Sequence, residues 1–201
     1  MQRPEFVYFD LGNVLLYFDH GIAARSMAKL IGVEPDEIKR LVFDSDFQLA
    51  YERGELTSQE FAAILSEKFK KDIPLEDLMV AASDIFVPNM HMLPVLDKIR
   101  SLKIPMGLLS NTCDAHWNWI LKMGYPQLQG WFDPLVLSFE VQMMKPEPDI
   151  YHLCAELAEI HPEGIFFTDD RQENVQGAID AGWNAAVFTS ADRLMDTVST
   201  W

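Results

Sequence analysis

The chain is poor in the features that mark secretion, membrane insertion or nucleic-acid binding. It has only two cysteines, Cys113 and Cys154, in no CxxC or other metal-ligand spacing. Two thiols cannot build a disulfide framework, so two reduced cysteines in an intracellular protein are expected. Lys and Arg total 16 against 31 Asp and Glu, a formal net charge of −15. That balance excludes a nucleic-acid partner, because phosphate backbones are held mainly by basic side chains. An anionic small molecule would need a local cation to offset the field. No run approaches the ~18 apolar residues of a membrane span. The start, Met1-Gln2-Arg3-Pro4-Glu5 and a short apolar run broken at Asp10, is too short and too acidic for a signal peptide. A cytoplasmic protein without a membrane partner is expected. Glycine and proline number 10 and 11 and are scattered, so no flexible linker is apparent.

What is present suits one α/β domain of 201 residues with an inserted lobe. Residues 5–9 (EFVYF) form an apolar run that stops at Asp10, as a buried strand with an acid at its carboxyl end would. Similar runs follow at 104–109, 135–137, 165–167 and 185–188. Segments of helical spacing separate them, which predicts a parallel sheet with helices on both faces. The stretch from Phe18 to Asn89 breaks the alternation and reads as helical throughout. One helix carries Ile22, Met27, Leu30 and Ile31, and a second starts at Pro35. A third has a capping box, Thr57 to Glu60, a Leu56–Phe61 staple, and a stripe of Phe61, Ile64, Leu65 and Phe69. A fourth runs from Leu75 to Phe86. The expected organisation is a Rossmann-like core of residues 1–17 and 90–201, with a helical cap of residues 18–89 above the carboxyl ends of the strands.

Four polar clusters fall at strand ends: FDLGNVLL (9–16), LLSNT (108–112), MKPEPDIY (144–151) and IFFTDDRQENVQGA (165–178). Singly, each has an ordinary structural explanation as a turn, a helix cap or a solvated charge. Together, on one edge of a parallel sheet, they supply a carboxylate able to attack, a second carboxylate for a cation, a hydroxyl and amide for an oxyanion, and a lysine. Phosphoryl transfer needs this inventory, because it depends on positioning and on cancelling charge.

In this order the four clusters resemble the motifs of the haloacid dehalogenase-like superfamily, and the helical insert is similar to its four-helix cap. The FDLGNV opening and the cap stretch YERGEL (51–56) are similar to a bacterial branch acting on sugar phosphates such as glucose 1-phosphate. The resemblance implies a magnesium-dependent phosphatase acting on a small phosphate ester. Asp10 would be the nucleophile, and Ser110 with Asn111 would hold phosphoryl oxygens. Lys145 would neutralise charge. Magnesium would be bound by Asp10, the Gly12 backbone carbonyl and Asp170, with Asp169 and Asn174 in or near the shell.

One departure matters. Most phosphatases of the superfamily carry an Asp two positions after the nucleophile as general acid and base, and here that position is Gly12. His20 and His116 are the substitutes considered from sequence. The aromatic residues Phe18, Phe43, Phe47 and Tyr51, with Trp117 and Trp119, fit a hydrophobic core or a pocket lining. Two other activities fit the same motifs: a dehalogenase using Asp10 on carbon, and a weakly catalytic phosphate-binding regulator.

Overall fold

A computed structural model describes residues 3–201; Met1 and Gln2, at the start of the expected 1–17 core segment, lie outside the described residues. The central sheet has five parallel strands. In chain order they are β1 (Phe6–Phe9), then, after an intervening ribbon, β4 (Met106–Ser110), β5 (Leu135–Leu137), β6 (Ile165–Asp169) and β7 (Asn184–Val187). Across the sheet the order is β5-β4-β1-β6-β7. All four residues of β1 are buried because both faces of the strand are covered. Val7 and Phe9 point into one apolar core, and Phe6 and Tyr8 into another on the opposite face. The first core also holds residues from α6 (Met92–Ser101), α7 (Asp114–Met123) and α11 (Ala191–Val198). The second holds residues from α9 (Pro148–Ala158) and α10 (Gln172–Asp180). A single turn, α8 (Ser138–Val141), follows β5 directly.

Between β1 and β4 the chain leaves the sheet by a feature that sequence periodicity did not anticipate. Two short strands, β2 (Leu16–Phe18) and β3 (Phe86–Pro88), pair antiparallel. The interval from Phe18 to Asn89 is therefore not helical throughout. The helix expected over Leu75–Phe86 ends at Ser83, and Phe86 enters β3 opposite Phe18. Pro88 is tolerated because it ends an edge strand.

The insert holds α1 (His20–Ile31), α2 (Pro35–Ile38), α3 (Asp46–Glu52), α4 (Ser58–Phe69) and α5 (Leu75–Ser83), with one π turn at Lys39–Phe43. Asp19 caps α1, its carboxylate accepting from the Gly21 N–H at 2.7 Å. Thr57 and Glu60 form the expected capping box on α4. The buried faces differ from expectation. On α1 the core face is Ala23, Ala24, Met27, Ala28 and Ile31, whereas Ile22 and Leu30 are exposed. On α4 Phe61 and Leu65 are buried and Ile64 is exposed. Alanines on α1 allow close approach to neighbouring helices, so the small-residue face turns inward. The insert has its own apolar core, to which Cys113 and Ala115 at the start of α7 also belong.

Candidate active site

Parallel register brings the four polar clusters to one edge. Phe9 is level with Leu108 and Thr168, so Asp10 emerges beside Leu109 and Asp169. Its own N–H donates to the Thr168 carbonyl at 3.0 Å, which fixes the carboxyl end of β1. Ser110 ends β4 and Asp169 ends β6. This is the carboxyl edge on which open α/β sheets bind ligands. A cavity of about 520 Å³ opens there between the sheet edge and the insert, a size suited to a small metabolite. Asp10, Gly12, Ser110, Asn111, Lys145, Asp170 and Asn174 all line it, whereas Asp169 lies behind its wall.

Lys145 is buried and completely engaged. Its Nζ donates to Asp10 Oδ1 at 2.6 Å, to Asp169 Oδ2 at 2.6 Å and to the Leu109 carbonyl at 2.9 Å. Three acceptors around one nitrogen require all three ammonium hydrogens, so Lys145 is charged. Burial alone would lower its pKa, but the Asp10 and Asp169 carboxylates hold it above the ordinary lysine range. Asn111 braces the same loop from both sides. Its amide donates to the Lys145 carbonyl and its side-chain oxygen accepts from the Lys145 N–H, both at 2.9 Å.

The paired acids are not equivalent. Asp169 is fully buried and accepts from Lys145, from the Arg171 N–H at 2.8 Å and from the Asn174 amide at 3.0 Å to each oxygen. Asp170 faces the cavity and accepts from Asn13 Nδ2 at 2.9 Å. Sequence reasoning missed Asn13. Its φ of 55° is a left-handed conformation that asparagine tolerates better than most residues, and that preference was the available signal.

Asp10, Asp169 and Asp170 offer carboxylate oxygens that all lie within 4.8 Å of one another. Burial first, and then the two neighbouring carboxylates, push the Asp10 carboxyl upward, and Lys145 opposes them. Three carboxylates facing one ammonium leave negative charge uncompensated. A hard dication with oxygen ligands fits that donor set.

Gly12 is constrained by its neighbour. A Cβ built there would meet Phe18 Cε1 at 2.8 Å and Asp10 Oδ2 at 3.7 Å. The space into which an acid at position 12 would project is filled by the Phe18 ring. The two histidines considered as substitutes are both depressed. Burial lowers His20, which stacks on Phe43 with ring centroids 4.7 Å apart. Burial and repulsion from His20 bring His116 down to about 4. Both are neutral near pH 7 and poor proton donors. Among the aromatics, Phe18 and Phe43 line the cavity, while Phe47 and Tyr51 stack on Phe61 and Trp117 joins the sheet-side core.

Residues 5–182 match the haloacid dehalogenase-like hydrolase family. The chain belongs to this family. As a haloacid dehalogenase-like hydrolase it is 25% identical over 175 residues to D-ribitol-5-phosphate phosphatase of Bacteroides thetaiotaomicron, covering 84% of each chain. Its fold superposes with a TM-score of 0.80 on a family enzyme of the same organism crystallised with magnesium and inorganic phosphate, at 29% identity and covering 92% and 93% of the two chains. An L-2-haloacid dehalogenase from Xanthobacter autotrophicus shares the fold, with a TM-score of 0.64 at 18% identity, covering 98% of this chain and 84% of the other. Among the described residues no helix of this hydrolase is long and apolar enough to cross a membrane.

Proposed function

We propose that this hydrolase is a magnesium-dependent phosphatase that cleaves a small phosphorylated metabolite, of the sugar or polyol phosphate class, through an aspartyl-phosphate on Asp10. The observation that carries the reading is the Asp10 carboxylate at the cavity floor, held through Oδ1 by a saturated buried ammonium and clustered with two further carboxylates. Lys145 fixes the orientation of Asp10 and leaves Oδ2 toward Gly12 as the attacking oxygen. Ser110, at the end of β4, and Asn111, through its backbone, hold phosphoryl oxygens. Asp169 serves Lys145 as a buried counter-charge and is itself held by Asn174. Magnesium bound by Asp10, the Gly12 carbonyl and Asp170 would neutralise charge on the phosphoryl group. Residues 18–89 act as a cap over the core of residues 1–17 and 90–201, and the cap limits the substrate to small molecules. Two buried, unpaired thiols suit a reducing cytoplasm, and the net charge of −15 disfavours nucleic acid.

The test is turnover of p-nitrophenyl phosphate and a panel of sugar and polyol phosphates, with and without magnesium. Activity that requires the metal and falls to background in Asp10→Asn is expected. Full activity in that variant, or indifference to chelation, defeats the reading. Metal-independent chloride release from a 2-chloro acid would replace it with carbon chemistry at Asp10.

A further inference from the structure

Cleavage of an unactivated phosphate ester requires a proton on the departing oxygen, and position 12 cannot provide it. Apart from Asp10 and Asp170, the carboxylates lining the cavity are Asp44, Asp46 and Glu52. Asp44 and Asp46 are exposed at the rim. Glu52 is half-buried, at the last residue of α3, where the insert meets the sheet.

Three contacts hold that residue at the seam. The Glu52 carbonyl accepts from Ser138 Oγ at 2.5 Å, and the same hydroxyl accepts from the Thr112 N–H at 2.9 Å, next to Ser110 and Asn111. Arg53 grips Glu147 with two parallel bonds of 2.9 and 2.5 Å, two residues beyond Lys145. Gly54 lies so close that a Cβ would come within 2.2 Å of the Phe139 carbonyl, and its φ of 75° also favours glycine. The carboxyl itself accepts from Gln48 Nε2 at 2.6 Å. The chain from the Glu52 carbonyl through Gly54 is thus anchored to the segments that carry the phosphate-binding groups, while the Glu52 side chain lines the cavity.

We propose that Glu52 is the general acid and base of this enzyme, supplied from the insert in place of the side chain that Phe18 excludes at position 12. The inference rests on the phosphatase reading above. In the first step Asp10 Oδ2 forms a bond to phosphorus, the ester P–O bond breaks, and the proton of neutral Glu52 passes to the departing alkoxide. In the second, the Glu52 carboxylate takes a proton from water as the water oxygen bonds to phosphorus. The bond to Asp10 then breaks, releasing phosphate and regenerating both carboxyl groups. Burial raises the Glu52 carboxyl to about 7, with Gln48, Arg171 and Lys145 drawing it back, so both protonation states are available near neutrality. The other titratable groups facing it are Cys113, raised far above neutrality by burial, and His20, in contact through Gln48; His116 also lines the cavity.

The test compares phenyl phosphate, whose leaving group needs a proton, with p-nitrophenyl phosphate, whose leaving group does not, in the wild type, Glu52→Gln and Glu52→Asp. In Glu52→Gln, kcat/KM for phenyl phosphate should fall by about 10²–10⁴-fold, and for p-nitrophenyl phosphate far less. The decline of the phenyl phosphate rate above pH 7 expected of the wild type should be absent from Glu52→Gln, and Glu52→Asp should recover part of the loss. Melting temperature provides a readout independent of turnover. A carboxyl with a raised folded-state pKa stabilises the fold below its unfolded value and loses that contribution as pH rises through about 7. The wild type should therefore lose melting temperature over that interval relative to Glu52→Gln. Equal losses for both esters, or an unchanged pH profile in a folded Glu52→Gln, would overturn the role of Glu52 and leave the phosphatase reading intact. A wild type inactive on both esters and on the panel of sugar and polyol phosphates would defeat the phosphatase reading itself.

Discussion

On the sheet side of the cleft Lys145 has all three ammonium hydrogens placed, Asp169 accepts from three residues, and Asn111 clamps the supporting loop twice. On the facing wall aromatic rings gather: Phe18, Phe43 and His20 of the insert meet ring to ring, and His116 of α7 packs against Phe86, with Asp44, Asp46 and Glu52 as the carboxylates there. Polar links from the insert to the core include Ser138 to Glu52, Arg53 to Glu147, Ser58 to Asp114 and Tyr125 to Phe86. The contrast follows from what each wall does. Charges that must stay fixed during phosphoryl transfer need saturated partners, because the alternatives for a buried charge are costly. A wall that only shapes a pocket can be built from ring contacts, which need no saturated charge partners.

The sharpest way to break this contrast is Lys145→Met. It leaves Asp10 and Asp169 buried without their ammonium, and a loss of about 3–5 kcal/mol in chemical denaturation at neutral pH is expected. Without the ammonium, burial and the neighbouring carboxylates push the Asp10 carboxyl further up, so the deficit should shrink as pH falls and Asp10 becomes neutral. A deficit independent of pH would show that packing, not charge, holds this wall.

Where the two walls meet, Gly12→Ala should cost about 1–3 kcal/mol because the new Cβ meets the Phe18 ring at 2.8 Å. Phe18→Ala in the same chain should recover much of that cost, a coupling that a double-mutant cycle measures. Gly12→Asp alone should not improve turnover of phenyl phosphate, since Phe18 occupies its space. An additive cycle would show that the ring does not exclude a side chain at position 12.

At His116 of α7, which packs against Phe86 of the insert, the pH response has the opposite sign. His116, held down to about 4, stabilises the fold above its ordinary value of 6.5, and that contribution is lost as pH falls through about 4. His116→Phe, which keeps a ring against Phe86, should remove roughly 1–2 kcal/mol of acid sensitivity in melts between pH 7 and 4. The smallest effect is expected for Arg53→Ala. An exposed ion pair contributes about 1 kcal/mol or less, so stability should barely change. Its readout is KM, which should rise as the seam loosens while thermal stability holds.

The parts of the molecule legible in the sequence share one property. β1, β4, β5, β6 and β7 are each built on a short apolar run, and sequence expectation located each within about two residues. The capping box of α4 was legible for the same local reason, since its two partners lie three residues apart. The β2–β3 ribbon was not, because each strand has three residues and Leu16 pairs with Pro88 from across the whole insert. The exposure of Ile22, Leu30 and Ile64 was equally hidden, because a helix face becomes core only when a neighbour covers it. At the site, the residue types at 10, 110, 145 and 169–170 were readable, but the difference between a buried Asp169 and a cavity-facing Asp170 was not.

By itself the sequence determined an acidic α/β chain with apolar strands ending in polar clusters, because strand burial and capping act over a few residues. Only the tertiary structure decided that Asn13 reaches Asp170, that Phe18 fills the space beside Gly12, and that Glu52 sits at the seam. Those juxtapositions join residues separated by up to 157 positions. They depend on the sheet register and on the seating of the insert, neither of which is encoded in local spacing.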